Sequence, residues 1–289
     1  MTEAPFSTSE ASCSFEWKSS IIACIEKFPT PASESGRLYS YLQGSHSALE
    51  GAIELVASDP YLAVEVIRNA NLAEFGSRGM ISVEDAVQTI GLERLARIAL
   101  RIWLGNLLPS SLEAYGTSRV SFVRRSLGCG VAMRFLYQGD SQQSETAYAV
   151  GLLHAIGRVV IDEAVREVSK SCLVLQERTA RRLAEAEFRE FGLNHAEVGG
   201  LALKKWGFSK LVYDAVSAQF SANPKGDTLD WTQSLAICRY TTSCVMETLE
   251  DRPNPLMREG RVVYRGKTLS ELYEYTLAAV EQEVLPARN

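Results

Sequence analysis

The histidines are the residues of this chain best suited to chemistry, and there are only three, His46, His154 and His195. His154 lies in the apolar stretch GLLHAIGRVV, residues 151–160, where a histidine followed by an acid would place two metal ligands side by side. A divalent ion held in this way lowers the pKa of a bound water, which then becomes a nucleophile at neutral pH. The residue after His154 is Ala155, so the acid of such a pair is missing.

Nearby acidic residues do not replace the acid that is missing beside His154. Asp162 and Glu163 follow His154 by about two turns if the segment is one helix, roughly 12 Å at 1.5 Å per residue. Hard cations such as Mg²⁺ and Mn²⁺ need several converging oxygen ligands. We therefore predict no bound catalytic metal, no cofactor and no catalytic residue.

Each histidine has a structural and a functional interpretation. His154 is predicted as a buried core histidine with its hydrogen bonds satisfied, and the alternative is a ligand or a catalytic base. His195 follows Asn194, a candidate helix N-cap, and is predicted to pack or bond locally in the first turn. Its alternative is a binding pocket shared with His154, which makes both residues candidates for a ligand pocket.

Composition excludes several classes of function. The chain carries 30 basic and 35 acidic residues, a net charge of -5, which argues against nucleic-acid binding by phosphate neutralisation. No apolar window reaches the roughly 18 residues of a membrane span. The six cysteines form no C-x-x-C pair and are typical of small core residues in a reducing compartment. We expect a cytoplasmic protein that binds neither nucleic acid nor membrane.

Apolar residues recur with helical period along nearly the whole chain, which predicts an all-α protein. Residues 145–165 are predicted to form one central buried helix, and residues 261–265 at most one β-hairpin. Helix starts are indicated by an N-cap before proline at Asp59-Pro60, by an N-cap at Ser82, and by capping boxes at Asn194/Glu197 and Thr268/Glu271. Gly91 and Pro109 are predicted helix ends.

Five segments, in order, resemble the bacterial HDOD family: FPTP (28–31), SDPYLAVEVIRNANLAEFG (58–76), ISVEDAVQTIGLERLARIAL (81–100), AVGLLHAIGRVVI (149–161) and FGLNHAEVGGLALKKWGFSKLVYDAV (191–216). The resemblance spans about residues 20–220. It implies an all-helical fold in which an N-terminal helical part packs on an HD-like helical part, and a place in bacterial signalling. It does not imply catalysis.

The domain organisation predicted with this resemblance has four parts. These are a flexible tail at 1–18, an N-terminal helical part at 19–115, an HD-like part at 116–225 and a helical extension at 226–289.

The resemblance also indicates where HD hydrolases would carry metal ligands. The upstream helix around residues 123–127 has no histidine, and no aspartate occurs between Trp231 and Glu250 on the helix that should supply the last acid. Where many relatives have consecutive histidines, this chain has Gln219-Phe220.

Asn71 lies in the most recognisable of the five segments. Asparagine near a helix end usually satisfies loose backbone groups at a turn. The alternative is a contact between the N-terminal and HD-like parts, and on that ground Asn71 is a third candidate site residue.

The leading functional hypothesis is a non-catalytic regulatory module of signal transduction, which binds a protein partner or a small ligand through a degenerate HD-like domain. The competing hypothesis is a divergent metal-dependent phosphohydrolase that acts on a nucleotide or cyclic nucleotide, using His154, His195 and an acid that the sequence does not reveal.

Overall fold

The periodicity of the sequence predicts helices, and helices are what the computed structural model contains. It describes residues 8–27, 33–44, 47–71, 82–168, 175, 179–221, 228–250 and 263–284. The helices are α1 Thr8–Lys27, α2 Glu34–Leu42, α3 Leu49–Ala57, α4 Pro60–Ala70, α5 Val83–Leu107, α6 Arg119–Leu136, α7 Ser141–Leu153, α8 Gly157–Val168, α9 Ala180–Phe191, α10 His195–Lys205, α11 Lys210–Ser217, α12 Thr228–Leu249 and α13 Leu269–Val284. The all-α prediction is confirmed.

The β-structure consists of two short antiparallel ladders. Strands β3 Val263–Tyr264 and β4 Lys267–Thr268 form the hairpin predicted near residues 261–265. Strands β1 Ser111–Leu112 and β2 Thr117–Ser118 form a second one. The expectation of one hairpin at most was therefore wrong, because strands of two residues leave no alternating pattern to detect.

Helix starts follow the capping signals. The Asp59 carboxylate accepts hydrogen bonds from the N–H groups of Tyr61 and Leu62 ahead of α4, and Ser82 caps α5. Both capping boxes are formed: Asn194 with Glu197 opens α10, and Thr268 with Glu271 opens α13. These side chains satisfy backbone donors that have no partner inside a helix.

Gly91 interrupts α5 as predicted. Its φ of 73° lies in the left-handed region that glycine adopts without a steric penalty, so the helical segments on either side change direction there. Residues 145–165, by contrast, are not the single helix predicted from their apolar character. They divide into α7 and α8, with a turn at 154–156.

The chain divides into two compact units. The unit of residues 29–108 contains α2 to α5, which pack on a shared apolar core that includes Leu38, Val56, Leu62, Val66 and Leu95. The unit of residues 1–28 and 109–289 contains α1 and α6 to α13. Helix α1 therefore packs with elements that lie more than 80 residues later in the sequence. The boundaries predicted after residues 18, 115 and 225, which separate the four parts of the chain, stay predictions.

Helix α1 is fixed within its unit by contacts at its carboxyl end. The Lys205 ammonium of α10 donates to the carbonyl oxygens of Ile25 (3.1 Å) and Glu26 (2.7 Å), which lie in the last turn of α1. A cation at this end of a helix also interacts favourably with the helix dipole.

Within the same unit, α6 and α7 pack closely, since a Cβ on Gly151 would lie 2.4 Å from the Cys129 carbonyl oxygen. None of the helices in the described ranges is long and apolar enough to span a bilayer.

Candidate functional site

A cavity of about 590 Å³ opens in the unit of residues 1–28 and 109–289. Its described wall comes from the 3₁₀ turn Glu113–Tyr115, α6, the segment that joins α7 to α8, α9 and α12. The polar residues that this part of the structure contributes include three arginines, one histidine and several hydroxyl side chains, namely Arg125, Arg158, Arg239, His154, Ser126 and Thr242.

His154 lines this cavity at the end of α7. Its Nδ1 lies 2.7 Å from the Gly151 carbonyl oxygen and donates to it. That carbonyl would otherwise accept the N–H of Ala155 in a continuing α-helix, so the histidine ring helps to end α7 and to form the turn that sequence reasoning missed.

Burial and the nearby Arg239 guanidinium hold the pKa of His154 well below its ordinary value. The ring is therefore neutral, with Nε2 unprotonated. The prediction of a buried histidine with an internal hydrogen bond describes this arrangement, and the same ring also faces the cavity.

The turn after His154 is linked to α12 through Gln219. The Gln219 amide donates to the His154 carbonyl oxygen at 2.8 Å, and its Oε1 accepts from the Arg239 guanidinium at 2.6 Å. Phe220 lies beneath the same guanidinium, 4.5 Å from ring centroid to Cζ, and its ring meets that of His195 edge to face at 5.2 Å. Gln219 and Phe220 therefore position both Arg239 and His195.

His195 is fully buried and bonds Glu187 of α9. Glu187 Oε2 lies 2.7 Å from both the backbone nitrogen and Nδ1 of His195. Burial alone would raise the pKa of Glu187, but its bonds to His195 and the nearby Arg158 lower that pKa, while burial lowers the pKa of His195. We assign an ionised Glu187 and a neutral His195 that donates through Nδ1.

The two histidines come from segments in tight contact. A Cβ on Gly157, at the start of α8, would lie 2.0 Å from the His195 carbonyl oxygen and 2.7 Å from the Gly199 nitrogen. Only glycine allows α8 and α10 to approach this closely. His195 is nonetheless absent from the described cavity wall, whereas His154 is part of it.

Asn71 belongs to the unit of residues 29–108, where it is the C-cap residue of α4 and its backbone N–H donates to the Ile67 carbonyl oxygen at 3.0 Å. The role predicted for the Asn71 side chain at this turn stays a prediction. Its proposed contact with the HD-like part stays a prediction. His46 lies outside the described residues.

The donor set around the cavity does not fit a divalent metal. The described residues contain no group of three or more His, Cys, Asp or Glu side chains placed to hold an ion. Burial raises the pKa of the Cys129 thiol in the cavity wall to about 12, so it remains protonated at neutral pH. A guanidinium group has five N–H donors and no acceptor, so it is not a metal ligand.

Comparison with known proteins identifies the family. The HDOD domain profile matches residues 28–222, about two thirds of the chain. The chain belongs to the HDOD family. The resemblance inferred from five sequence segments is confirmed, and with it a place in a signalling-associated family related to HD proteins.

One relative of this HDOD protein is a distant match. An uncharacterised protein of Treponema pallidum is 23% identical over 209 residues, which cover 68% of this chain but only 38% of that protein. The chain therefore spans well under two thirds of the length of this relative.

Solved structures agree in fold. An HDOD domain protein of Geobacter sulfurreducens matches with a TM-score of 0.65 at 20% identity and covers 96% of this chain and 100% of its own. A proposed phosphohydrolase of Shewanella amazonensis matches with a TM-score of 0.60 at 17% identity, covering 92% and 93%. A proposed signal transduction protein of Marinobacter aquaeolei matches with a TM-score of 0.63 at 17% identity. The match covers 94% of this chain and 65% of that protein. These likenesses show the fold.

The positions that the HDOD resemblance marked for metal ligands carry other chemistry. The upstream segment lies on α6 and contributes Arg125 and Ser126 to the cavity, and the helix expected to supply the last acid is α12, which contributes Arg239 and Thr242. Sequence reasoning identified these helices as lacking ligands but did not predict that their arginines meet at one cavity.

Glu187 and Gln219 were also missed as structural partners of the two histidines. Glu187 had one possible signal, since an acid among the apolar positions of α9 is fully buried only when it has a partner. Gln219 was noted in the sequence only as the residue that replaces a histidine.

Proposed function

We propose that this HDOD protein is a non-catalytic regulatory module of signal transduction whose HD-like cavity binds a small ligand and whose helical surface transmits that state to a protein partner. The observation that carries the proposal is the convergence of Arg125, Arg158 and Arg239 on a cavity of about 590 Å³ at the place where an HD enzyme needs metal ligands. Cationic side chains there repel a divalent ion and leave the helical frame available for binding.

The protein partner is the less specified half of the proposal. Exposed apolar side chains of the described surface, such as Val64 and Tyr61 on α4 and Phe188 on α9, are scattered over both units, and single exposed apolar residues are normal on a soluble surface. Membership of a signalling-associated family supports a protein partner. The proposed signal transduction protein of Marinobacter aquaeolei shares the fold and is consistent with that role.

The proposal includes a reducing compartment. Cys24, Cys129, Cys238 and Cys244 are buried free thiols among the described residues, as suits the cytoplasm. It also retains the expectation that nucleic acid is not a partner, which rests on the net charge of -5.

Metal analysis together with a hydrolysis screen tests the non-catalytic assignment. Protein purified without chelator is analysed for manganese, iron, zinc and magnesium, and is then assayed on phosphomonoester, phosphodiester and cyclic-nucleotide substrates with each metal added. We expect less than about 0.1 metal ion per chain and no turnover that changes in His154→Ala. Stoichiometric metal with turnover that depends on His154 would reject the proposal.

A divergent phosphohydrolase is the second candidate, and one observation favours it. The Glu187–His195 pair has the geometry in which a carboxylate fixes the tautomer of a histidine whose Nε2 then binds a metal or acts as a base. The His195 Nε2 is buried, however, and has no hydrogen-bond partner among the described residues. A phosphate-release assay in which His195→Gln lowers the rate by two orders of magnitude or more would support this alternative.

A further inference from the structure

Two partly buried arginines on the cavity wall, Arg158 and Arg239, have no ionic partner among the described residues. In the described part of the chain, neither Arg158 nor Arg239 has a carboxylate oxygen within the 4.0 Å of a salt bridge. Arg166, about two turns further along α8, contrasts with them because it pairs with both Asp162 at 2.5 Å and Glu163 at 3.3 Å. Buried charges in proteins are normally paired, because desolvation of a single charge is expensive.

The internal partners of the two arginines are neutral. Arg239 donates to the Gln219 amide and lies over the Phe220 ring, and Arg158 lies 5.8 Å from the centroid of the Tyr115 ring. The Nε atoms of both arginines are buried without a hydrogen-bond partner among the described residues. Each arginine therefore keeps at least one N–H donor that has no acceptor among the described residues.

Burial lowers the pKa of Arg239 to about 10, which still leaves it protonated at neutral pH. Arg158 helps to lower the pKa of Glu187, but Glu187 Oε2 already accepts two bonds from His195. One carboxylate, already bonded to His195, is not enough to balance both Arg158 and Arg239. None of the described wall residues is acidic, and the only histidine among them is neutral.

Two hydroxyl groups extend the set of donors. Ser126 and Thr242 line the cavity from α6 and α12, and the hydroxyl oxygens of both are buried without a partner in the described structure. Buried hydroxyls that lack a partner are unusual in native proteins. Their presence beside unpaired guanidinium groups points to a missing acceptor with several oxygens.

We propose that the cavity binds a small organic phosphate, whose phosphoryl group lies between the guanidinium groups of Arg158 and Arg239. The inference deepens the function proposed above and rests on it. A phosphate offers more acceptor oxygens than a carboxylate and up to two negative charges, which matches arginines from two helices joined by hydroxyl donors. The volume of about 590 Å³ exceeds what the phosphoryl group fills and accommodates an organic part of nucleotide or sugar size.

A matched set of compounds tests this chemistry on the full chain. Thermal unfolding and titration calorimetry are run with nucleoside monophosphates, sugar phosphates, the corresponding uncharged nucleosides and sugars, inorganic phosphate, and a dicarboxylate of similar charge. We expect at least one organic phosphate to raise Tm by about 4 °C or more at 100 Kd, because binding to the folded state alone stabilises it by about 2.7 kcal/mol. Its uncharged counterpart should have no effect.

Substitutions of Arg158 and Arg239 test whether these two residues bind the phosphate. Arg158→Gln and Arg239→Gln should each weaken the phosphate that binds by about tenfold or more, the range for a lost charge-assisted hydrogen bond. Arg158→Lys should retain part of the affinity. Arg182→Gln, on the exposed face of α9 outside the cavity, is the matched control and should bind normally. Circular dichroism of each variant separates loss of binding from loss of fold.

The outcomes distinguish this inference from the proposed function. Binding of uncharged compounds alone, equal binding of carboxylates and phosphates, or affinity unchanged in both arginine variants overturns the inference while leaving the non-catalytic assignment intact. Absence of binding by every phosphate in the set at 5 mM also overturns it. Release of inorganic phosphate from the bound compound, followed during the same titration, overturns the proposed function instead.

Discussion

Glu187 accepts two hydrogen bonds from a single residue, His195, one from its backbone N–H and one from Nδ1. Both residues are fully buried. The pair links α9 to the first turn of α10, and α10 in turn packs against the turn that carries His154. A buried carboxylate is retained in this position because it fixes the orientation of two neighbouring helices, even though it lies outside the described cavity wall.

Replacing Glu187 with alanine should destabilise the fold. The change leaves two buried donors of His195 without an acceptor, and each such donor costs about 1–3 kcal/mol. We expect the free energy of unfolding in urea to fall by about 2 kcal/mol or more. Glu185→Ala, two residues away on the exposed side of α9, is the control and should change it by less than about 0.5 kcal/mol. Equal stability of the two variants would contradict the assigned role.

Acid should destabilise the protein before its exposed carboxylates titrate. The pKa values of His154 and His195 lie below their ordinary 6.5 in the folded state, so the unfolded chain binds more protons as pH falls below about 6.5. The free energy of unfolding then decreases with falling pH, by up to about 1.4 kcal/mol per pH unit for each histidine. Glu187, whose pKa is lowered from 4.5, adds stability above that value that is lost at still lower pH.

Urea unfolding measured between pH 7.5 and 5 in wild type and in His154→Gln checks this assignment. The variant should show a shallower dependence on pH between 6.5 and 5, because one of the groups that gains a proton on unfolding is gone. An identical slope in the two proteins would mean that His154 titrates normally in the folded state.

Local signals predicted the helix starts correctly. Capping boxes and the Asp59-Pro60 start involve residues within four positions of one another, so a single sequence contains the whole interaction. The division of 145–165 into α7 and α8 is different. It depends on the bond of His154 to Gly151 and on the approach of α10 to Gly157, and the second of these joins segments that are distant in the chain.

The candidate site also depends on contacts between residues that are distant in the sequence. His154 and the absence of an adjacent acid were evident from the sequence, whereas the cavity depends on Arg158 and Arg239, which are separated by 81 positions. In the sequence each arginine is indistinguishable from an exposed helix residue such as Arg182. Packing of α12 against α6 places Arg239 on the same cavity as His154, in the turn, and Arg158, in α8.

A methyl group at position 157 should separate α8 from α10. In Gly157→Ala the new Cβ would meet backbone atoms at 2.0 and 2.7 Å, which cannot move as a flexible side chain would. Overpacking typically costs about 1–3 kcal/mol, and we expect the upper end or above, measured by chemical denaturation. Gly199→Ala, with nearest contacts of 3.3 Å, is the graded control and should cost less. A larger loss in Gly199→Ala would show that this contact is not the tightest one between the helices.

Asp162 should hold part of the cavity wall in place, because it bonds the residue that precedes the cavity-lining Tyr115. It is fully buried, its Oδ1 accepts the Ala114 N–H at 2.8 Å, and the neighbouring Tyr115 lines the cavity. In Asp162→Ala the Ala114 N–H loses its acceptor and Arg166 its closer partner, so we expect the free energy of unfolding to fall by about 2–3 kcal/mol. Because the 3₁₀ turn would no longer hold Tyr115 in place, affinity for the organic phosphate identified in the binding screen should fall as well.

Glu163→Ala provides the matched comparison. Glu163 is the next residue of α8, is partly exposed and contacts the same Arg166 at 3.3 Å, but it does not reach the 3₁₀ turn. A partly exposed ion pair contributes at most about 1 kcal/mol, so this variant should remain close to wild type in both stability and affinity. If the two variants lose stability and affinity to the same extent, the effect arises from the shared partner Arg166, and the bond from Asp162 to the Ala114 backbone does not position the cavity wall.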